Sequence, residues 1–169
     1  TTALYATSPR ELVQRGMQRF RDGDVVSSIS YFDEADKSVP DGSLRPFLWQ
    51  RGISYYYADQ FEEGSRQFRD DVAVNPLDVE EIVWDIACLN RLSNTAVPRS
   101  QMMSLPPGKT DRRPIMSTVY QLFRGDATEW ELFRKGTALT RQRGGREEFY
   151  ALFYLGLYCE SRGEVGKAE

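Results

Sequence analysis

Residues 48–55 read LWQRGISY, and the spacing within this stretch decides the fold because it recurs along the chain. In four separate segments a small residue follows four positions after a large apolar or aromatic one: Gly16, Gly52, Cys88 and Gly156. The first three are 36 residues apart, and the fourth follows after 68, which is room for two repeats of 34. A period of this length is typical of helical repeat proteins.

The residues downstream of these positions keep the same period. Phe32 and Phe68 are 36 residues apart, as are Pro40 and Pro76. We expect each small residue to let a second helix approach the first, each phenylalanine to fill the gap between hairpins, and each proline to end its helix. The pattern predicts helices over 9–22, 25–38, 45–58, 61–74 and 79–93.

The later half of the sequence is less regular. It predicts a short helix over 98–104, a proline-rich loop over 105–114, and helices over 115–123 and 128–139. We expect Trp130 and Phe133 on the last of these helices to face inward. The regular spacing then returns near residue 147.

This organisation resembles the tetratricopeptide repeat (TPR) family, in which antiparallel helical hairpins stack into a right-handed superhelix. The resemblance covers residues 1–169 as a single all-α TPR-like domain, with repeats over 9–40, 45–76, 79–104 (eroded), 115–140 (degenerate) and 147–169 (truncated). The element order, ending in Phe-Tyr-x-Leu-Phe-Tyr-Leu-Gly, is similar to bacterial NlpI-type adaptor lipoproteins and related plastid proteins. The resemblance implies a non-catalytic scaffold or adaptor in a chloroplast, associated with the thylakoid.

In a TPR array the first helices line a concave groove, and here that face is mostly apolar or aromatic. The residues one turn apart on it are the candidate partner-binding residues: Val13, Met17, Phe20, Trp49, Gln50, Ile53, Tyr56, Tyr57, Asp85 and Leu89. We expect Trp49 and Tyr56 to be binding anchors outside the core, with Asp85 and Gln50 giving specificity at the rim. Either a partner's helix or peptide lies in the groove, or the chain covers it internally or as a homodimer.

One ligand class of the family is not expected. The chaperone-binding TPR subclass clamps a C-terminal carboxylate with Lys, Asn and Arg side chains. Val13, Met17 and Gln50 stand at the corresponding places here. None of these three can neutralise a carboxylate.

The composition also excludes most enzyme classes. The chain has no histidine, which removes the commonest general base and most zinc sites. Its two cysteines, Cys88 and Cys159, are far apart, and we expect both to be buried and inert. The string 108–110, Gly-Lys-Thr, imitates a phosphate-binding loop, but Met103 stands where that loop needs glycine. We therefore expect no catalytic residue, no metal and no cofactor.

Charge is unevenly distributed within a net charge of −3. Residues 99–146 hold 10 basic and 4 acidic residues, a surplus too modest to indicate nucleic-acid binding. No apolar run approaches the roughly 20 residues that a membrane-spanning helix needs. The expected partner is therefore a protein or peptide.

The last repeat contains a complete first helix but only the beginning of a second. We expect the polypeptide to continue beyond Glu169, with a helix that packs on Tyr154, Leu155 and Tyr158. Without that helix, we expect an exposed aromatic face on the first one: Tyr150, Phe153, Tyr154, Leu157 and Tyr158.

Overall fold

A computed structural model describes residues 7–164 and 166 of the chain. Over this part the fold contains eight α-helices and no strand, so the expectation of an all-α protein is confirmed. The helices are α1 (Pro9–Arg21), α2 (Val25–Lys37), α3 (Trp49–Tyr57), α4 (Phe61–Val74), α5 (Val79–Ser93), α6 (Pro114–Phe123), α7 (Glu129–Arg143) and α8 (Glu147–Ser161). They pack as consecutive antiparallel pairs. None of the described helices is long and apolar enough to cross a membrane.

The helices form two compact units, an N-terminal unit over the described residues up to 74 and a C-terminal unit over the described residues from 75 onward. In the N-terminal unit α1 pairs with α2, and α3 pairs with α4. In the C-terminal unit α5 pairs with α6, and α7 pairs with α8. The second helix expected after Glu164 lies outside the described residues, apart from the helical Gly166.

Local sequence signals explain where the helices begin. Ser8 and Glu11 cap α1 reciprocally, with the Ser8 hydroxyl accepting from the Glu11 N–H and the Glu11 carboxylate accepting from the Ser8 N–H. The prediction that the third helix starts at residue 45 is wrong. A single 3-10 turn occupies Arg45–Phe47, and Leu48 leaves helical geometry at φ −93° and ψ 43°, so α3 begins at Trp49.

The N-terminal unit is built on two contacts between a glycine and a phenylalanine ring. A Cβ added to Gly16 would lie 3.1 Å from the ring of Phe32, and one added to Gly52 would lie 2.6 Å from the ring of Phe68. Both rings are completely buried. Each ring therefore packs on the glycine of its own hairpin, and the expected close approach of the second helix is confirmed.

The C-terminal unit is organised around α5, which is buried along almost its whole length. Both α6 and α8 pack against this helix. A close approach joins α7 to α8, where a Cβ on Gly136 would lie 2.5 Å from the Cβ of Ala151. A small residue therefore allows α7 and α8 to approach closely as well, although Gly136 does not belong to the series that begins with Gly16 and Gly52.

Three expectations for the C-terminal unit are wrong. Trp130 does not face inward, because its side chain is 63% exposed at the first turn of α7. The helix expected over 98–104 is only a 3-10 turn at Arg99–Gln101, which follows Pro98. The exposed aromatic face expected on α8 does not include Tyr154 and Leu157, because both side chains are buried in the unit.

We predict that Gly52→Ala destabilises the chain by about 1–3 kcal/mol, because the new methyl group must displace the Phe68 ring. Gly16→Ala should cost less, since its methyl group meets the Phe32 ring half an ångström farther away. Urea unfolding followed by circular dichroism measures both changes.

The matched control is the double variant Gly52→Ala/Phe68→Leu, in which a smaller side chain makes room for the methyl group. It should be more stable than the sum of the two single changes predicts. Simple additivity of the two changes would contradict this contact.

Candidate functional site

The side chains of α1 and α3 form one apolar surface on the N-terminal unit. We call it the first-helix surface, and its members are Val13, Met17 and Phe20 of α1 with Trp49, Ile53 and Tyr57 of α3. The spacing of three and four residues places each set along one face of its helix. The rings of Phe20 and Tyr57 lie 6.1 Å apart and join the two sets across the helices.

This surface is accessible rather than buried. Trp49 is 42% exposed and Tyr57 is 50% exposed, while the other four side chains are half-buried. Gln50, expected at the rim, is also half-buried and stands beside Trp49. Two large exposed aromatic side chains beside half-buried apolar ones, on packed helices, form the kind of surface that another chain can cover.

The interpretation of Tyr56 as an anchor outside the core is wrong. Its side chain is only 1% exposed, and its ring packs edge-on against Phe61 at 5.4 Å and Tyr57 at 5.5 Å. Tyr56 therefore contacts Tyr57 and belongs to the core of the N-terminal unit.

The last two candidate residues belong to the C-terminal unit. Asp85 on α5 is completely buried, so the expectation that it is a rim charge is wrong. Its position follows from α5 itself, which is buried on every side over residues 81–88. Leu89, one residue beyond this stretch, is half-buried.

A buried arginine fixes the side of α3 that faces away from the first-helix surface. The Arg51 side chain is only 7% exposed and donates to Gln67 at 2.9 Å, Asp33 at 3.1 Å and Asp36 at 3.2 Å. The Tyr55 hydroxyl donates to Asp33 at 3.0 Å, and burial raises the pKa of Tyr55 to about 12. These bonds tie α3 to both α2 and α4, which sets the rotation of α3 and so the direction of Trp49.

Two buried side chains whose pKa values shift strongly, Cys88 and Tyr154, lie in packing contacts of the C-terminal unit. Burial, with Asp85 nearby, raises the pKa of the Cys88 thiol far above its ordinary value, so the thiolate nucleophile does not form at neutral pH. Burial likewise raises the pKa of Tyr154, whose hydroxyl donates to Glu80 at 2.5 Å. Glu80 also accepts from Arg113 at 2.5 Å. Through Glu80, α5 is therefore hydrogen-bonded both to the end of the proline-rich loop and to α8.

Three groups able to bind a metal converge in the C-terminal unit. The ligand atoms of Glu129, Cys159 and Glu164 all lie within 4.8 Å of one another. The Arg162 guanidinium already donates to the Glu164 carboxylate at 3.3 Å and competes with any cation there. Structural zinc sites rest on four thiolate or imidazole ligands, so a lone thiol with two carboxylates gives weak support for one.

No protein-family model, curated protein or solved structure matches this chain. The function of the chain is therefore inferred from the residues on its own surface.

We predict different losses of stability when Tyr56 and Trp49, the two aromatic residues expected to be anchors, are replaced by alanine. Tyr56→Ala should cost about 3–5 kcal/mol of unfolding free energy, because it removes a fully buried ring. Trp49→Ala should cost less than about 1 kcal/mol, because much of that side chain is already in water. Chemical denaturation compares the two, and equal costs would contradict this division between core and surface.

We also predict that Arg51→Met destabilises the chain by about 3 kcal/mol, because it removes the buried charge partner of Asp36 and leaves that carboxylate only the exposed Arg45. Arg66→Met is the matched control, since its ion pair with Glu63 is largely exposed, and it should cost less than about 1 kcal/mol. Thermal unfolding of both variants checks the difference.

Proposed function

We propose that this chain is a non-catalytic protein–protein interaction module of the TPR type. In this proposal its hairpins belong to a right-handed superhelix, and the first-helix surface binds a helix or peptide of a partner protein. The observation that carries the proposal is the pair of exposed aromatic side chains, Trp49 and Tyr57, on an apolar surface made by two packed helices.

Several features support the TPR interpretation of the fold. The helices pack as consecutive antiparallel pairs, as TPR hairpins do. The small residues Gly16 and Gly52 lie 36 residues apart and receive equivalent phenylalanine rings. The family's adaptor role and plastid location come with this interpretation as part of the proposal.

The composition of the surface supports binding of a protein segment. Trp and Tyr carry large contact areas with few rotatable bonds, so little side-chain entropy is lost when a partner covers them. Met17 beside them can adapt to different apolar partners. Because α1 and α3 are already held by core contacts and by Arg51, the surface is preorganised for binding.

A second candidate function is self-assembly of the chain into a structural scaffold. It is favoured by the outer face of α8, where Phe149, Leu152 and Phe153 are exposed and the rings of Phe149 and Phe153 stack at 6.3 Å. A second copy of this chain could cover that face.

We predict that peptide binding depends on the first-helix surface. In selection from a displayed library of random 20-residue peptides, the chain should enrich specific sequences, and Trp49→Ala/Tyr57→Ala should lose at least tenfold in affinity for them. Trp130→Ala is the matched control, because it removes an equally large exposed ring from the C-terminal unit and should change affinity less than twofold.

Circular dichroism must show that all variants keep their helix content. Failure to enrich any peptide, or equal losses in the double variant and the Trp130 control, would overturn the proposed function.

Light scattering tests the second candidate. Self-assembly through α8 predicts a dimer or larger species that Phe149→Ser/Leu152→Ser returns to the monomer. A chain that is monomeric at high micromolar concentration contradicts it.

A further inference from the structure

The charges of the N-terminal unit are divided between its first and second helices. The first helices, α1 and α3, carry five arginines and one glutamate. The second helices, α2 and α4, carry seven acidic and three basic residues. The first-helix surface is therefore built on the positively charged helices of a chain whose net charge is negative.

The arginines of α1 are the part of this charge that remains available. Within the described residues, none of Arg10, Arg15, Arg19 and Arg21 forms an ion pair. All four are exposed. By contrast, Arg51 of α3 is buried and paired with Asp33 and Asp36. Arg21 donates to the Gln18 side chain at 3.0 Å, but none of the four has a carboxylate partner within the described residues, so each can pair with a carboxylate from outside the chain.

Two of these arginines share the face of the apolar residues. Arg10 precedes Val13 by three residues, and Arg21 follows Met17 by four, so both flank the first-helix surface, one near each end of α1. Arg15 and Arg19 lie on another side of the same helix, where they line a shallow cavity with Tyr31 of α2. The helix therefore supplies its own matched control pair.

The two helices that carry the surface contain almost no negative charge, and the nearest exposed carboxylates follow their C-terminal ends, at Asp22 and Asp59. No acidic residue occurs in α3, and the only one in α1 is Glu11. The Glu11 carboxylate already accepts from the backbone N–H and hydroxyl of Ser8 at the start of the helix.

We propose that the segment bound by the first-helix surface is an acidic amphipathic peptide of a partner protein. Its apolar side chains lie against Trp49 and Tyr57, and its carboxylates pair with Arg10 and Arg21. This inference rests on the proposed function and names the chemistry of the partner. Apolar contacts hold the peptide, and the two arginines select its charge and orientation.

The other occupants fit less well. A nucleic acid would need a dense basic surface, whereas two flanking arginines surround a centre of apolar and aromatic side chains. A second copy would have to offer the acidic helices α2 and α4, where three of the seven acidic side chains, Asp33, Asp36 and Glu63, are already in ion pairs inside the unit. A separate acidic segment meets neither obstacle.

The test begins with the peptides that display selection enriches on the 169-residue chain. Sequences that depend on Trp49 and Tyr57 should carry a net negative charge and apolar residues at helical spacing. One enriched peptide is then synthesised with its Glu and Asp residues intact or replaced by Gln and Asn. Isothermal titration calorimetry should show at least tenfold weaker binding of the neutral version at low salt, and a smaller difference at high salt.

The variants locate the charge effect on the protein. Arg10→Glu/Arg21→Glu should weaken the acidic peptide at least tenfold and leave the neutral peptide nearly unchanged. Arg15→Glu/Arg19→Glu changes the net charge equally but should weaken the acidic peptide less than threefold. Circular dichroism of both double variants verifies the fold, and Arg10→Gln/Arg21→Gln serves if charge reversal perturbs it.

Each outcome has a distinct meaning. Enriched peptides that are neutral or basic, or equal losses in the two arginine pairs, overturn the acidic partner while the proposed function stands. No dependence on Trp49 and Tyr57 overturns both. Competition by a single-stranded oligonucleotide that depends on Arg10 and Arg21 shows a nucleic acid instead, and growth of the chain into larger species that these variants abolish shows a second copy.

Discussion

The packing of a phenylalanine ring on a helical glycine is the constraint on which the N-terminal unit depends. Phe32 on Gly16 and Phe68 on Gly52 each bring two helices closer than any larger residue would allow. Glycine is unfavourable inside a helix by about 1 kcal/mol, and burying a whole ring offsets that cost. The pairing fixes the rotation of each first helix against its partner, and the first-helix surface lies on the adjoining side of the same helices.

The two sides of α3 show how one short helix serves packing and exposure together. Arg51, Gly52 and Tyr56 connect it to the neighbouring helices through an ion-pair network, a ring contact and a buried phenol. Trp49 and Tyr57 project from what remains. A nine-residue helix is too short to be stable alone, so its tertiary contacts hold the exposed aromatics in place.

The sequence predicted this fold where its period was strong and failed where burial depends on tertiary context. The spacing of 36 residues predicted Gly16, Gly52 and both buried phenylalanines. It could not separate Tyr56 from Tyr57, because neighbours in a helix differ by only about 100° and a small rotation exchanges their environments. The placement of Asp85 at the rim was wrong for another reason. Residues 81–88 of α5 are buried on every side, and a charged residue gives no sequence signal that it is buried. Trp130 shows the converse error, because an aromatic residue in the first turn of a helix can extend past its packed face.

Apolar spacing was the signal used for the candidate site, and charge spacing on the same helix was the signal overlooked. Arg10 and Arg21 stand three and four residues from members of the apolar set, which places them on its face without any structure. The sequence does not reveal which arginines pair within the unit. The structure shows that Arg51 pairs with internal carboxylates and that the α1 arginines do not. An unpaired exposed arginine contributes little to folding, because water solvates it well in both states. The proposal of an acidic partner therefore assigns the positive charge of α1 to binding, separate from the packing that holds the unit together.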